Sequence, residues 1–164
     1  MKIFKLSLVA CLLISCFACE KEDTETAQVF FSGITNRDGN GNENGNVDPD
    51  DWNLNVTFNA QERALFPADN LPICTDALDT VYSVYVYPNP CSGIFVFGSI
   101  IQMDRIALRI VDDNYNVLFA QDSLTSPSLS INEQGDGGSR MVRMYYSVYN
   151  DTCKYQGYGD ISLR

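Results

Sequence analysis

The chain is 164 residues long, 20% charged and 45% hydrophobic, with a net charge of −10 and no histidine. That length suits one ordinary domain, and the missing imidazole excludes Ser-His and Cys-His couples and any His-ligated metal. An excess of 21 acids over 11 bases argues against a nucleic-acid partner, whose phosphates require a positive footprint.

Lys2 and Lys5 lead into an apolar run, Leu6 to Phe17, followed by the small Ala18. This pattern predicts a secretory signal peptide over residues 1–18. At 1.5 Å per residue the run is roughly 18 Å long, short of a ~30 Å hydrocarbon core, so it is expected to be removed. Cys16-Phe-Ala-Cys19 resembles the lipobox of bacterial lipoproteins. The resemblance implies lipidation at Cys19 and anchoring in the outer membrane by several acyl chains, palmitate among them, which suffices for stable attachment. Ordinary cleavage after Ala18, leaving a soluble secreted protein, is the alternative. The acidic stretch Glu20–Glu25 resembles the surface-export signal found after the lipidated cysteine in bacteria that use type IX secretion, which implies display at the cell surface.

Loss of residues 1–18 takes two lysines with it, so the 21 acids then face nine bases. Three cysteines remain besides Cys19, namely Cys74, Cys91 and Cys153. In an oxidising compartment they give one disulfide and one odd thiol. Cys74–Cys153 is the favoured pairing, because alternating strand directions put Cys91 at the opposite end of the sandwich described next.

Residues 19–51 read as an acidic, Asn/Gly-rich tether whose turn chemistry forbids the interior of a helix or strand. Within it, Asn40, Asn42, Asn44, Asp48 and Asp51 fall at positions 1, 3, 5, 9 and 12 of a twelve-residue calcium loop, with Gly45 at 6, Asn46 at 7 and Val47 at 8. Calcium takes six or more hard oxygen ligands, so the spacing is chemically sensible for Ca2+. A plain tether is the competing reading. Then Trp52, Leu54, Val56 and Phe58 alternate, as on one face of a half-buried strand. Asn59–Phe66 allows one or two helical turns before Pro67.

Strand patterns follow at Thr80–Tyr87, Ile94–Gly98, Ile106–Asp112, Asn116–Gln121, Ser128–Ile131, Met141–Tyr149 and Tyr155–Leu163. Their spacing, β-branched and aromatic content, and intervening turns predict an all-β fold, an antiparallel sandwich over 52–164. Both faces of 141–149 are apolar or aromatic, as expected of a central strand covered on one side and partly on the other.

Val86-Tyr-Pro-Asn-Pro-Cys-Ser-Gly-Ile-Phe-Val-Phe97 and Ala107–Leu118 resemble the C-terminal sorting domain of type IX secretion (the Por sorting domain), over residues 81–164. The resemblance implies a seven-stranded immunoglobulin-like sandwich. It also raises an alternative role, as type IX cargo or the remnant of a sorting tail. The family's turn glycine is absent between Asp112 and Val117, and type IX cargo ordinarily has an unlipidated signal.

Catalytic candidates are few. Asp160, read as capping a turn before the last strand, is the nearest thing to a desolvated acid, and Cys91 has no histidine to activate it. Tyr145, Tyr149, Tyr155 and Tyr158 crowd the last hairpin and could form an aromatic binding face, although cross-strand pairs use the same residues. Asp79-Thr80-Val81 and Asp122-Ser123-Leu124 resemble short O-glycosylation acceptors, implying glycans on Thr80 and Ser123. The expectation is a non-enzymatic lipoprotein, a binding or assembly module whose partners are the membrane and another surface protein or a glycan.

Overall fold

The computed structural model describes residues 28–75, 83–101, 104–133 and 138–164. The expected signal peptide, Cys19 and Thr80 lie outside them. A five-residue helix, α1 (Ala60–Ala64), precedes seven strands: β1 (Val84–Tyr87), β2 (Ile94–Ser99), β3 (Arg105–Val111), β4 (Val117–Leu124), β5 (Ser128–Asn132), β6 (Arg140–Tyr149) and β7 (Lys154–Leu163). The helix starts where Asn59 accepts hydrogen bonds from the amides of Gln61 and Glu62, while Glu62 reaches back to the Asn59 amide. That capping box satisfies amides the helix itself cannot.

The strands form two antiparallel sheets, β1-β2-β5 and β4-β3-β6-β7. The chain crosses between sheets after β2, β4 and β5, so the architecture is an immunoglobulin-like sandwich. Period-two patterning drives it: Val84, Val86, Phe95, Phe97, Ile106, Leu108, Ile110, Val142, Met144, Tyr146 and Ile161 all point into one shared core. Gly93 takes φ 89 at the entry to β2, a conformation that favours glycine. In the 112–116 turn Tyr115 takes φ 60, and its ring stacks on Tyr145 at 6.3 Å.

The four-stranded sheet is buried on its outer side as well. Val29, Phe58, Phe66, Ala107, Val111, Tyr145 and Tyr149 make a second core there. The described part of the expected tether is therefore not free. The amide of Val29 donates to the Asp113 carbonyl, and residues 36–46 form a hairpin-like loop whose Arg37 pairs with Asn89 through both backbone groups. The folded unit thus starts upstream of residue 52, and residues 28–75 form a third layer, the cover.

The expected one-faced strand over 52–58 is also corrected. This segment runs beside β7, with hydrogen bonds from the Trp52 amide to Tyr158 and from the Val56 amide to Gln156. Trp52 and Leu54 enter the main core, whereas Phe58 and Val56 pack in the second. The chain crosses the edge of the sheet between them. Crossing requires close approach: a Cβ on Gly157 would stand 1.7 Å from the Asn53 carbonyl oxygen, and one on Gly159 would meet the Trp52 ring at 2.4 Å.

Candidate functional site

The cover is held to the sheet by a buried polar network. Arg143 of β6 donates from Nε and Nη2 to the two carboxylate oxygens of Asp160 of β7, at 2.6 and 2.8 Å, and Nη2 also donates to the Phe30 carbonyl. Asp51 accepts from the Asp160 amide and the Thr35 amide, at 2.8 and 2.7 Å. Asn89, wholly buried between two prolines, donates to the carbonyls of Thr35 and Asp160 and accepts from the Ser162 amide. One asparagine side chain thus joins the end of β1, the cover and β7.

Burial raises the Asp51 carboxyl to about 6 even though two amide donors favour its charged form. Burial also pushes Asp160 up, with the Arg143 guanidinium pulling the other way. Asp160 lies within β7, not at a turn before it, because it is the direct cross-strand partner of Arg143. Its carboxylate is engaged as an ion-pair partner.

At the other end of the cover, Tyr145 donates its hydroxyl to Glu62, and Arg109 donates to the Leu65 carbonyl and pairs with Asp122. Lys154 Nζ donates to both oxygens of Asp69, at 2.9 Å each. Cys74 and Cys153 form a disulfide that ties the end of the cover to the start of β7, with Cα atoms 5.1 Å apart. Cys91 pairs with Leu163 at the far end of β7 and is a buried free thiol, its pKa raised by that burial.

The tyrosines expected to form a binding face do not form one. Tyr145, Tyr149 and Tyr155 are buried and Tyr158 is half-buried. Tyr145 and Tyr149 belong to the second core and Tyr155 to the main one. The cover occupies the face that would have been sticky.

The calcium register is not assembled either. Asp48 and Asp51 turn inward, Asp48 accepting from the Ser32 hydroxyl and the Asp50 amide. Asn46 donates to the Ile34 carbonyl, and Asn42 donates to Asp38, outside the twelve-residue register. Asn40 and Asn44 remain on the exposed loop. Among the described residues, no three Asp, Glu or Cys side chains converge as a metal group. Ser123 is exposed on the edge strand β4. A cleft of about 650 Å³ opens between Gln28–Phe31, the Asp112–Asp113 turn and Gly138–Met141.

Two features were there to be found in the sequence. Glycines at 157 and 159 within a strand pattern signal a backbone crossing close by, and two apolar faces on β6 demand two covers. The class that emerges is an all-β immunoglobulin-like sandwich with an N-terminal cover. No protein-family model matches the chain, and no curated protein matches it. Among solved structures it is similar to a DUF3244 family protein with an immunoglobulin-like beta-sandwich fold from Bacteroides vulgatus. The TM-score is 0.35 at 12% identity, over 49% of this chain and 82% of that one.

Proposed function

We propose that the protein is a lipid-anchored, non-enzymatic surface module that works by binding or assembly. The observation that carries this reading is where the polar chemistry goes. Arg143, Asp160, Asp51 and Glu62 are all engaged in holding the cover to the sandwich. A general acid needs a desolvated carboxyl free to reach substrate, and the most buried one here is gripped by a guanidinium. The lipobox-like Cys19 supplies the anchor. Val29 is bonded to the 112–116 turn ten positions after Cys19, so an anchor at Cys19 stands at most roughly 35 Å along the chain from a fixed point of the sandwich.

The cover also favours an integral module over a detachable sorting tail, since the outer face of β3-β6 depends on residues upstream of 76. Intact-mass analysis of the chain purified from bacterial membranes tests the anchor. The expected species begins at Cys19 and carries a diacylglyceryl group and an N-acyl chain. A species cleaved after Ala18 without acyl chains overturns it.

A further inference from the structure

In the 36–46 hairpin an acid or its amide precedes glycine three times, at Asp38-Gly39, Asn40-Gly41 and Asn44-Gly45. At each step the side-chain carbonyl carbon can close a five-membered ring with the next backbone nitrogen, and glycine has no Cβ to hinder it. The fold treats the three steps differently. The Asp38 carboxylate accepts from the Asn42 and Asn40 amides, at 3.0 and 2.8 Å, and from the Asn42 side chain. Those donors hold it in the charged form, and a carboxylate anion is a poor target for a nucleophile. At Asn40 the attacking nitrogen would be the Gly41 amide, which donates to the Asp38 carbonyl at 3.0 Å. Arg37 fixes Gly41 further by donating to its carbonyl at 2.9 Å.

Asn44-Gly45 has neither restraint. Asn36 accepts from the Asn44 amide but donates to the Asn46 carbonyl, so a single residue faces three across the hairpin. Gly45 lies in that bulge with φ 127, where the ladder has already given up its pairing. Asn44 and Gly45 are exposed, and no described group accepts from the Gly45 amide or bonds the Asn44 side chain. The neighbouring Asn46 differs again: its side-chain nitrogen donates to the Ile34 carbonyl, and Val47 follows it.

We propose that Asn44 is a self-modification site, where the folded chain converts its own asparagine to aspartate or isoaspartate with water as the only co-reactant. Hydroxide or water takes the Gly45 amide proton, and the nitrogen attacks the Asn44 side-chain carbonyl carbon. The new N–C bond closes a cyclic imide as the bond to Nδ2 breaks, and Nδ2 leaves with a proton as ammonia. Water then opens the imide and the nitrogen regains its proton. Breaking the new bond gives aspartate; breaking the original peptide bond gives isoaspartate, with one more backbone atom. Either product adds a carboxylate next to Glu43, the partner of the Arg37 that lies over the Tyr85 ring. The inference is independent of the anchor at Cys19.

The test is a time course of the full chain in mildly alkaline buffer, folded and in guanidinium. Each sample is digested in acid, which halts the reaction, and the converted asparagine is located by fragment mass. In the folded chain Asn44 should convert about tenfold faster than Asn40, the worth of one hydrogen bond on a nitrogen that must lose its proton. In guanidinium that hydrogen bond is gone and the two steps should convert at similar rates. Anion exchange should show a later-eluting species forming with time, and Asn44→Asp should co-elute with its aspartyl form. Asn44→Gln, at an exposed position where folding is not at risk, makes the ring one atom larger. It should suppress that species and leave the Asn40 rate unchanged. Asn40 keeping pace with Asn44 in the folded chain overturns the proposal, as does Asn44 persisting there while the guanidinium sample converts. An equal ratio of the two rates in both samples also overturns it, since the fold would then have no part in the selection.

Discussion

Arg143 and Asp160 sit directly opposite one another on β6 and β7, joined by two hydrogen bonds of 2.6 and 2.8 Å beneath the cover. The side chains are 8% and 1% exposed, so neither charge has bulk water to fall back on. Breaking such a pair leaves an isolated buried charge, which costs about 3–5 kcal/mol. Arg143→Met and Asp160→Asn should therefore each lower the urea unfolding free energy by that order. The double change Arg143→Met with Asp160→Leu should cost less than the sum, since no charge is stranded. Single variants within about 0.5 kcal/mol of the parent would show that the pair carries no such weight.

Asp51 gives the fold a pH dependence of unusual sign. Its carboxyl is raised from 3.8 to about 6 in the folded state, so between those values the folded chain holds a proton that the unfolded chain has released. Stability falls as pH rises through that window. A shift of this kind, discounted for the solvent that reaches a half-buried group, is worth about 1–2 kcal/mol. Asp160 is raised too and acts in the same direction. Asp38, Asp69 and Asp112 are lowered, so the stability they contribute is lost as pH falls below the ordinary carboxyl range. Urea midpoints measured from pH 4 to 7 should decline, and Asp51→Asn should flatten most of the decline. An equally steep decline in that variant would remove Asp51 as its source.

The sandwich was legible where one physical rule governs a strand. Phe95 and Phe97 in β2, and Ile106, Leu108 and Ile110 in β3, alternate with a period of two because one side of each strand faces the core. The cover was not legible, because no periodicity builds it. Asp51 and Asn89 hold it by hydrogen bonds between side chains and distant backbone, and the Thr35 hydroxyl, accepting from the Asp48 amide, ties it together internally. Asn, Asp and Gly carry the same local turn chemistry whether a loop is pinned or free. The tyrosine face failed for the related reason that Tyr145 suits a solvent-facing and a covered position equally well until the covering segment is known. Tyr85 and Tyr87, half-buried on the outer face of β1 where the 36–46 hairpin meets it, carried the same strand signal as their buried counterparts.

Gly157 is where the cover crosses the sheet edge, and it tolerates no side chain. The Asn53 carbonyl carbon is also within 2.9 Å of any Cβ there, and both atoms belong to backbone that Trp52 and Val56 bond to β7. Gly157→Ala should cost about 3 kcal/mol or more, as severe overpacking does, and should lower the melting temperature accordingly. Gly138→Ala, where nothing lies within 4 Å of the new atom, should stay within about 0.5 kcal/mol. Near-parental stability for Gly157→Ala would mean that the crossing segment can lift away without loss.

The Cys74–Cys153 bridge closes a separation of 79 residues that spans every strand except β7. Loop-closure entropy for a ring of this size amounts to about 4–5 kcal/mol in the unfolded chain. Cys74→Ser with Cys153→Ser should lower the unfolding free energy by a large part of that amount. Because Cys91 is buried at the other end of β7, it should not form a substitute bridge. Thiol titration of the folded parent in non-denaturing buffer should find it protected, and rapid labelling at Cys91 would contradict its burial.

The sorting-domain resemblance covers residues 81–164, and the cover makes a sharp prediction about that fragment. All seven strands fall within it, so a self-sufficient tail should fold alone. Yet Val111, Ala107, Tyr145 and Tyr149 would lose Val29, Phe58 and Phe66 from their outer side. Arg143 would lose the Phe30 carbonyl, and Cys153 would lose its partner. A contiguous apolar sheet face open to water binds dyes or other chains, and loss of packing with strands retained produces a loosened, molten-globule-like state. Expressed without residues 1–80, the fragment should bind anilinonaphthalene sulfonate, lose most of its near-ultraviolet dichroism and associate at micromolar concentration. The chain from residue 20 onward should do none of these. A fragment that unfolds in one sharp transition without binding the dye would make the cover dispensable, and the tail reading would then regain its standing.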